Sequence, residues 1–429
     1  MNRTWLIVFG DLASFLISFT LLILLRFEGR YAYALTTHTI PFLILFLFWV
    51  LIFYVFGLYD LVTIKPTIPY LKRWILALTT SFAVGLLLFY FAPIFGISPK
   101  INLIIQVGFF GFFSFFFRRM VYALFTKAFS KPAILIGNSL YLKELENTIQ
   151  TNPQLGLQIE KRLATTSELN ETLTNLKNLI IILDNDTDPS GQDILNFYKK
   201  GIEIIDTAKA YEKYLLKIPV AYIDLGFIIE NVDIKKNILY TSTIFLTDRI
   251  LALLILILTS PFLLISAIII YFQDKGPIFY TQNRVGLNGK VFRLYKLRSM
   301  IINGEKNGAV WANGKKDTRI TPIGKIIREL HLDEIPQMIN ILKGDLALVG
   351  PRPERPEFVT PLESTIPHYN LRHIIRPGFT GWAQIKYRYA NTAESSKEKF
   401  EYDLYYIKNR NIFLDFGIIM RTIQIIFTH

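Results

Sequence analysis

Cysteine is absent from the 429 residues, so there is no disulfide and no thiolate metal site. Zinc-finger, helix-turn-helix and aromatic RNA-binding signatures are missing too. That leaves the net charge of +13 without a nucleic-acid reading, and anionic lipid head groups and phosphorylated substrates explain it more simply. No G-x-G-x-x-G turn follows the first strand-like run of the middle region, where Gly137 stands alone, so dinucleotide binding has weak support. Acidic residues are scarce at the start: Lys and Arg outnumber Asp and Glu 11 to 3 over 1–131, against 12 to 16 over 132–272 and 24 to 15 over 273–429.

What the chain has in quantity is apolar residues, 52% of the total with 14% aromatic, which points to the membrane. Four apolar segments, about 5–25, 39–59, 74–95 and 101–117, each approach the ~20 residues that cross a hydrocarbon core as helix. The first is read as a span rather than a signal peptide, because further spans follow and no small-residue cleavage site is evident. Lys65, Lys72 and Arg73 lie between the second and third segments, and Arg118, Arg119, Lys127 and Lys131 follow the fourth. The other side carries Arg26, Arg30 and Lys100. The positive-inside rule then puts both ends of this region in the cytoplasm. Asp11 alone is ionisable within these segments and is expected to pair with a polar neighbour, so the region reads as an anchor rather than a transporter.

From Pro132 strand-like runs (133–139, 178–184, 201–206, 219–224) alternate with amphipathic stretches such as 140–150, which suits a small parallel sheet with covering helices. A fifth apolar segment, Ile250 to Phe272, has Ser260-Pro261 near its centre. Proline removes a backbone donor there. Either a kinked helix crosses, or it turns back at the break and re-emerges where it entered. Hydropathy does not separate the two. The basic, phosphate-suited region that follows favours re-entry, since nucleotide-activated substrates are cytoplasmic.

That region opens with GPIFYTQNRVGLNGKVFRLYKLRSM (276–300), read as a hairpin turning at Asn288-Gly289. Arg284, Arg293, Lys296 and Arg298 concentrate donors for phosphate oxygens, or form a solvated basic face. Ile323, Ile326, Ile327 and Leu330 follow helical spacing, so 322–331 is expected to pack by that face, with Arg328 on another. A second helix is expected to start near Asp333, with Asp333 as its N-cap and Glu334 as a first-turn charge. The same adjacent carboxylates, together with phosphate oxygens, also suit Mg²⁺. Arg352 stands between Pro351 and Pro353, and Arg376 precedes a rigid Pro377-Gly378 turn; both are candidate anion donors. Trp382 is expected in a core or at the lipid interface.

The segments PIFYTQNRVGLNGKVFRLYKLRSM, LDEIPQMINILKGDLALVGPRP and RPGFTGWAQI resemble the bacterial sugar transferases, the monotopic polyprenyl-phosphate hexose-1-phosphate transferases. The likeness covers roughly 243–429, with small departures at Leu297 and Ala347. Upstream, it is an architectural similarity to the long members that begin exopolysaccharide, capsule or O-antigen units. The resemblance implies transfer of a sugar phosphate from a UDP-sugar to undecaprenyl phosphate with release of UMP. It implies Asp333 as nucleophile, Glu334 assisting through Mg²⁺ or proton handling, Lys296 and Arg328 as essential basic residues and Arg352 as phosphate binder. Ser260-Pro261 would be the break of a re-entrant helix at 248–272.

The expected architecture is therefore a membrane protein of α and α/β class. A four-helix transmembrane bundle occupies 1–131, a Rossmann-like domain 132–240, and a sugar transferase domain 241–429 on the cytoplasmic face of a bacterial inner membrane. Membrane lipids are partners by this reading, and the long members suggest a homodimer. The competing expectation is a scaffold for a polysaccharide assembly complex.

Overall fold

The computed structural model describes residues 3–91, 100–128, 130–165, 168, 179–187, 191–231, 238–302, 304, 318–387 and 392–427. They form two compact units, Met1–Leu215 and Leu216–His429.

The first unit begins with four helices, α1 (Arg3–Arg26), α2 (Tyr31–Val55), α3 (Ile68–Phe91) and α4 (Lys100–Ala123). Each is long and apolar enough to cross a membrane. α4 carries Asn102, Gln106, Phe110, Ser114 and Arg118 at four-residue spacing, all buried, and such spacing lines up one helix face. Asn102 Nδ2 lies 3.2 Å from His38 Nε2, Gln106 Nε2 donates to Ser18 Oγ at 2.8 Å and Ser114 Oγ to Asp11 Oδ1 at 2.9 Å. Arg118 pairs with both carboxylate oxygens of Asp11, Nη2 to Oδ2 at 2.6 Å. Polar groups in apolar surroundings need partners, so these contacts fix the rotation of α4 against α1 and α2.

Asp11 thus has its polar partner, but the setting corrects two expectations. Arg118 is no flanking charge: the fourth helix continues to Ala123 and encloses it, fully buried. His38 likewise lies inside a second helix that starts at Tyr31. Ionisable groups do occur within spans two to four.

The rest of this unit is a parallel sheet of β1 (Lys131–Ile136), β2 (Leu157–Leu163), β3 (Ile180–Leu183) and β4 (Glu203–Asp206) in the order β2-β1-β3-β4. Helices α5 (Leu140–Thr151), α6 (Gly191–Lys199) and α7 (Thr207–Tyr214) connect or follow the strands. Sequence reading missed β2, an edge strand that carries three consecutive charges, Glu160, Lys161 and Arg162. At the turn into α5, Asp184 accepts from Ser139 N at 2.8 Å and from Asn185 N at 3.0 Å. Gly137 has φ +129°, and a Cβ there would meet Asp184 Cβ at 2.2 Å. A carboxylate of the protein itself therefore sits where a helix start would take a phosphate.

The expected strand at 219–224 belongs to the second unit and is no strand. Val220–Tyr222 forms a 3-10 turn, because Ile218 N and Val220 N bond the carbonyl and carboxylate of Glu401 (3.0 and 3.2 Å) instead of a neighbouring strand. Ile218, Val220 and Ile223 enter a core with Val285, Val359 and Phe400. Lys217, almost wholly buried, lies 3.1 Å from Glu398 and 3.7 Å from Glu401, and Trp382 Nε1 donates to Leu216 O at 3.0 Å.

After α8 (Leu225–Asn231) comes α9 (Ile238–Asp274), 37 residues that stay helical through Ser260 and Pro261. The expected break in helical structure does not occur. Proline cannot donate to the carbonyl four residues back, which is Ile257 O, and Ser260 Oγ donates to that oxygen at 2.7 Å. Both ends of the apolar stretch of α9 are tied to other elements of the second unit. Arg249 Nε donates to Leu342 O at 3.1 Å, while Arg298 donates to Ile270 O at 3.4 Å and pairs with Asp274.

A hairpin of β5 (Phe279–Val285) and β6 (Val291–Leu297) follows. It turns through Asn288 (φ 53°) and Gly289 (φ 75°), as the Asn-Gly pair predicts. Then come α10 (Pro322–Glu329), α11 (Gln337–Lys343), β7 (Ala347–Val349), α12 (Pro356–Thr365), β8 (Gly378–Thr380), α13 (Trp382–Lys386), α14 (Ala393–Asn409) and α15 (Ile412–Phe427). β7 pairs parallel with β8. Trp382 and Met338 lie in the central core. On α10, Ile327 is buried and Ile323 partly so, but Ile326 and Leu330 are exposed. The packed face is narrower than the four-residue pattern suggested.

Candidate active site

The end of β6 and the start of α10 approach closely. Thr321 caps α10 by accepting from Gly324 N at 2.9 Å. A Cβ on Gly324 would lie 1.9 Å from Ser299 O, so only glycine allows this contact. Arg328, one turn on, is held by its neighbour: Nε donates to Ser299 Oγ at 2.7 Å. Ser299 was not singled out from the sequence. Its signal is the hydroxyl that ends the basic strand.

α10 stops at His331, whose φ of +54° lies in the left-handed region. The chain reverses there into a 3-10 turn, Leu332–Glu334, and α11 begins only at Gln337 after Pro336. Asp333 is therefore not a helix N-cap, and this corrects the sequence expectation. It lies buried inside the turn, and no side-chain hydrogen bond joins it to any described residue.

Glu334 is different. Its Oε1 accepts from Lys296 Nζ and from Arg352 Nη2, each at 2.8 Å. Burial works against its charge, yet Arg352 and Lys296 together hold its carboxyl well below the usual range. Asp333 moves the other way. Burial, then the charge of Glu334, raises its pKa against the opposing pull of Lys296 and Arg328. Two adjacent carboxylates are thus driven apart, one firmly ionised and clamped, the other buried and open.

β6 is fixed for this purpose by Asn340 on α11, which accepts from Tyr295 N at 3.0 Å and donates to Arg293 O at 2.7 Å. These two bonds bracket Leu294, two residues before Lys296. A buried amide beside Met338 and Ile341 on α11 was the overlooked signal.

The structure thus brings Lys296, Arg328, Asp333, Glu334 and Arg352 together. It places Arg298 and Arg376 elsewhere. Arg298 is buried against Asp274 and Ile270, and Arg376 stacks on Phe245 with its guanidinium 4.8 Å from the ring centre. Ser260 and Pro261 lie on the exposed part of α9. Among the described residues no cluster of three or more His, Cys, Asp or Glu forms a metal site by itself.

Residues 240–429 match the family described as bacterial sugar transferase. A UDP-N-acetylgalactosamine-undecaprenyl-phosphate N-acetylgalactosaminephosphotransferase of Aeromonas hydrophila is 46% identical over 181 residues, 42% of this chain and 43% of the relative. A UDP-glucose:undecaprenyl-phosphate glucose-1-phosphate transferase of Caulobacter vibrioides is 34% identical over 200 residues, 46% of this chain and 71% of the relative. An uncharacterized sugar transferase of Bacillus subtilis is 39% identical over 179 residues, 42% of this chain and 84% of that relative. The chain spans less than half the length of the Aeromonas relative. With most of the Caulobacter and Bacillus relatives covered at this identity, the chain belongs to the bacterial sugar transferase family.

Proposed function

We propose that the chain is a phosphoglycosyl transferase that moves hexose 1-phosphate from a UDP-sugar to undecaprenyl phosphate, releasing UMP. The observation that carries this reading is the geometry of the adjacent carboxylates: Glu334 is held by Lys296 and Arg352 at 2.8 Å, and Asp333 lies buried beside it with no side-chain hydrogen bond to a described residue. In the first step an oxygen of ionised Asp333 forms a bond to the sugar-bearing phosphorus, and the bond from that phosphorus to the bridging oxygen breaks. UMP leaves with the electron pair, and a phosphosugar ester of Asp333 remains. In the second step an oxygen of undecaprenyl phosphate attacks the same phosphorus, restoring the carboxylate and forming the diphosphate-linked sugar.

Phosphoryl transfer depends chiefly on positioning and charge stabilisation, and the surrounding residues supply both. Lys296 and Arg352 converge on the site and can turn from Glu334 toward phosphate oxygens, and Arg328 lends its charge. Asp333 and Glu334, with substrate phosphate oxygens, are donors that fit Mg²⁺, which takes one or two carboxylates alongside phosphates. Bound there, the ion would neutralise diphosphate charge. Splitting the transfer through a covalent aspartyl ester lets a soluble donor and a lipid acceptor use one cavity in turn.

The reading places the catalytic unit on the cytoplasmic face of a bacterial inner membrane, with α9 entering and leaving on that side. Support comes from the ties of Arg249 and Asp274, at opposite ends of the apolar stretch, to the same unit. A straight helix would separate them by roughly 38 Å, more than the hydrocarbon thickness of about 30 Å, so entry and exit on one side call for α9 to bend at Pro261 while remaining helical. Cysteine labels at the two ends of α9 should both report the cytoplasm, and a periplasmic label at either end would contradict re-entry.

Asp333→Asn should abolish UMP release from UDP-sugar, and near-wild-type turnover would remove Asp333 as nucleophile. A screen of UDP-sugars, including UDP-glucose and UDP-N-acetylgalactosamine, identifies the donor.

A further inference from the structure

Pro351-Arg352-Pro353 presents two prolines without backbone N–H, so the loop that aims Arg352 is anchored largely through its carbonyls. All three are occupied. Pro351 O accepts from Gly378 N at 2.9 Å, Arg352 O from Arg372 Nη2 at 3.0 Å, and Pro353 O from Arg284 Nη1 at 3.0 Å. Glu354 O, next in line, accepts from Val285 N at 2.9 Å.

Two of these donors are themselves held by buried carboxylates. Arg372 is 3% exposed, and its Nη2 also donates to Asp403 at 2.9 Å, Asp403 being 1% exposed. Its Nη1 donates to Tyr369 Oη. Arg284 Nη1 lies 3.7 Å from Glu354, which in turn accepts from Lys399 at 2.9 Å. Neither Arg372 nor Arg284 contacts Asp333 or Glu334 among the described residues. A guanidinium whose position is fixed by carboxylate and hydroxyl is a rigid donor, and it grips the one backbone carbonyl that belongs to Arg352 itself.

We infer that Arg372, held by Asp403, is a positioning residue for the transfer reaction. It fixes the backbone of Arg352 so that the Arg352 guanidinium meets Glu334 and the donor diphosphate. Arg284 does the same one carbonyl later. This inference rests on the proposed function. Its distinguishing property is that Arg372 acts only through Arg352.

The test is a double-mutant cycle on the full-length protein in lipid nanodiscs, reading initial UMP release with undecaprenyl phosphate and the UDP-sugar that the wild type turns over best. Arg372→Lys keeps the charge beside Asp403 but loses the planar fork. It should lower kcat/KM about 10- to 100-fold, the scale of a small misplacement at a reacting centre, in a protein that still melts cooperatively. In an Arg352→Lys background the same change should cost less than about twofold more, since coupled sites are not additive. Losses that multiply in the double variant would overturn the inference and leave Arg372 a general structural residue. Should Arg372→Lys fail to fold, the same cycle with Arg284→Lys decides, on the same criterion. A wild type that releases no UMP from any UDP-sugar would instead overturn the proposed function itself.

Discussion

Lys296 and Arg352 meet on a single oxygen, Oε1 of Glu334, each at 2.8 Å. One comes from a strand and the other from a loop far along the chain, so Glu334 acts as the joint between them. Removing it should leave two buried or half-buried cations facing each other. Glu334→Gln is therefore expected to lower kcat/KM for UDP-sugar by about 10²-fold, the scale of losing a preorganised electrostatic contact. Unchanged kinetics in a folded variant would deny Glu334 this role.

The pH dependence of activity should carry the mark of Asp333. In the proposed reaction its ionised form is the nucleophile, and burial with the neighbouring Glu334 charge raises its pKa. Activity should hence be retained at higher pH and lost as pH falls through a value above the ordinary aspartate range. Replacing Glu334 by Gln removes the second of these causes and should move the acid limb of the kcat/KM profile downward. A limb that stays in place or rises would contradict the coupling of the two carboxylates.

Stability should respond to acid in two separate windows. Burial, assisted by the charge of Arg372, lowers the pKa of His373 to about 4. Its neutral form belongs to the fold, so its contribution is present above the unfolded value near 6.5 and is lost as pH falls toward 4. Glu354 is buried too, but Lys399, Arg372 and Arg284 bring it to about 2. Its contribution is lost lower, between the unfolded value near 4.5 and about 2. His373→Phe should flatten the decline of Tm between pH 6.5 and 4 and leave the lower one. Thermal melts across this range check it.

Truncation tests how the catalytic unit begins. Lys217 supplies the cation for Glu398 and Glu401, and Ile218, Val220 and Ile223 fill a core beside Val285 and Phe400. A chain starting at 216 should keep its melting temperature, whereas one starting at 241 loses both the cation and the apolar anchors. Lys217→Met in the full chain isolates the charge. Removing one partner of a buried pair costs about 3–5 kcal/mol, visible as a lower Tm. Equal stability of the two truncations would refute this.

Much of the fold and site was legible because it rests on local patterning. The apolar helices follow from unbroken hydrophobic runs, the hairpin turn from Asn288-Gly289, and the convergence on Asp333-Glu334 from the three family-like segments. Other features depend on contacts that no local pattern carries. His331 in the left-handed region made the carboxylates part of a 3-10 turn rather than a cap. Ser260 answered the carbonyl that Pro261 left bare, so the helix continued. Arg118 looked like a flanking charge until Asp11, in another helix, claimed it. Arg298 and Arg376 carried the right charge for phosphate, but Asp274 and Phe245 took them.

Trapping the covalent intermediate tests the assignment of Asp333 most directly. The wild-type protein is mixed with UDP-sugar in the absence of undecaprenyl phosphate, and the intact mass and its peptide map are read. The expected result is one added sugar phosphate, located on Asp333, absent from Asp333→Asn and discharged by undecaprenyl phosphate. UMP released without any adduct, or an adduct that persists in Asp333→Asn, would contradict it.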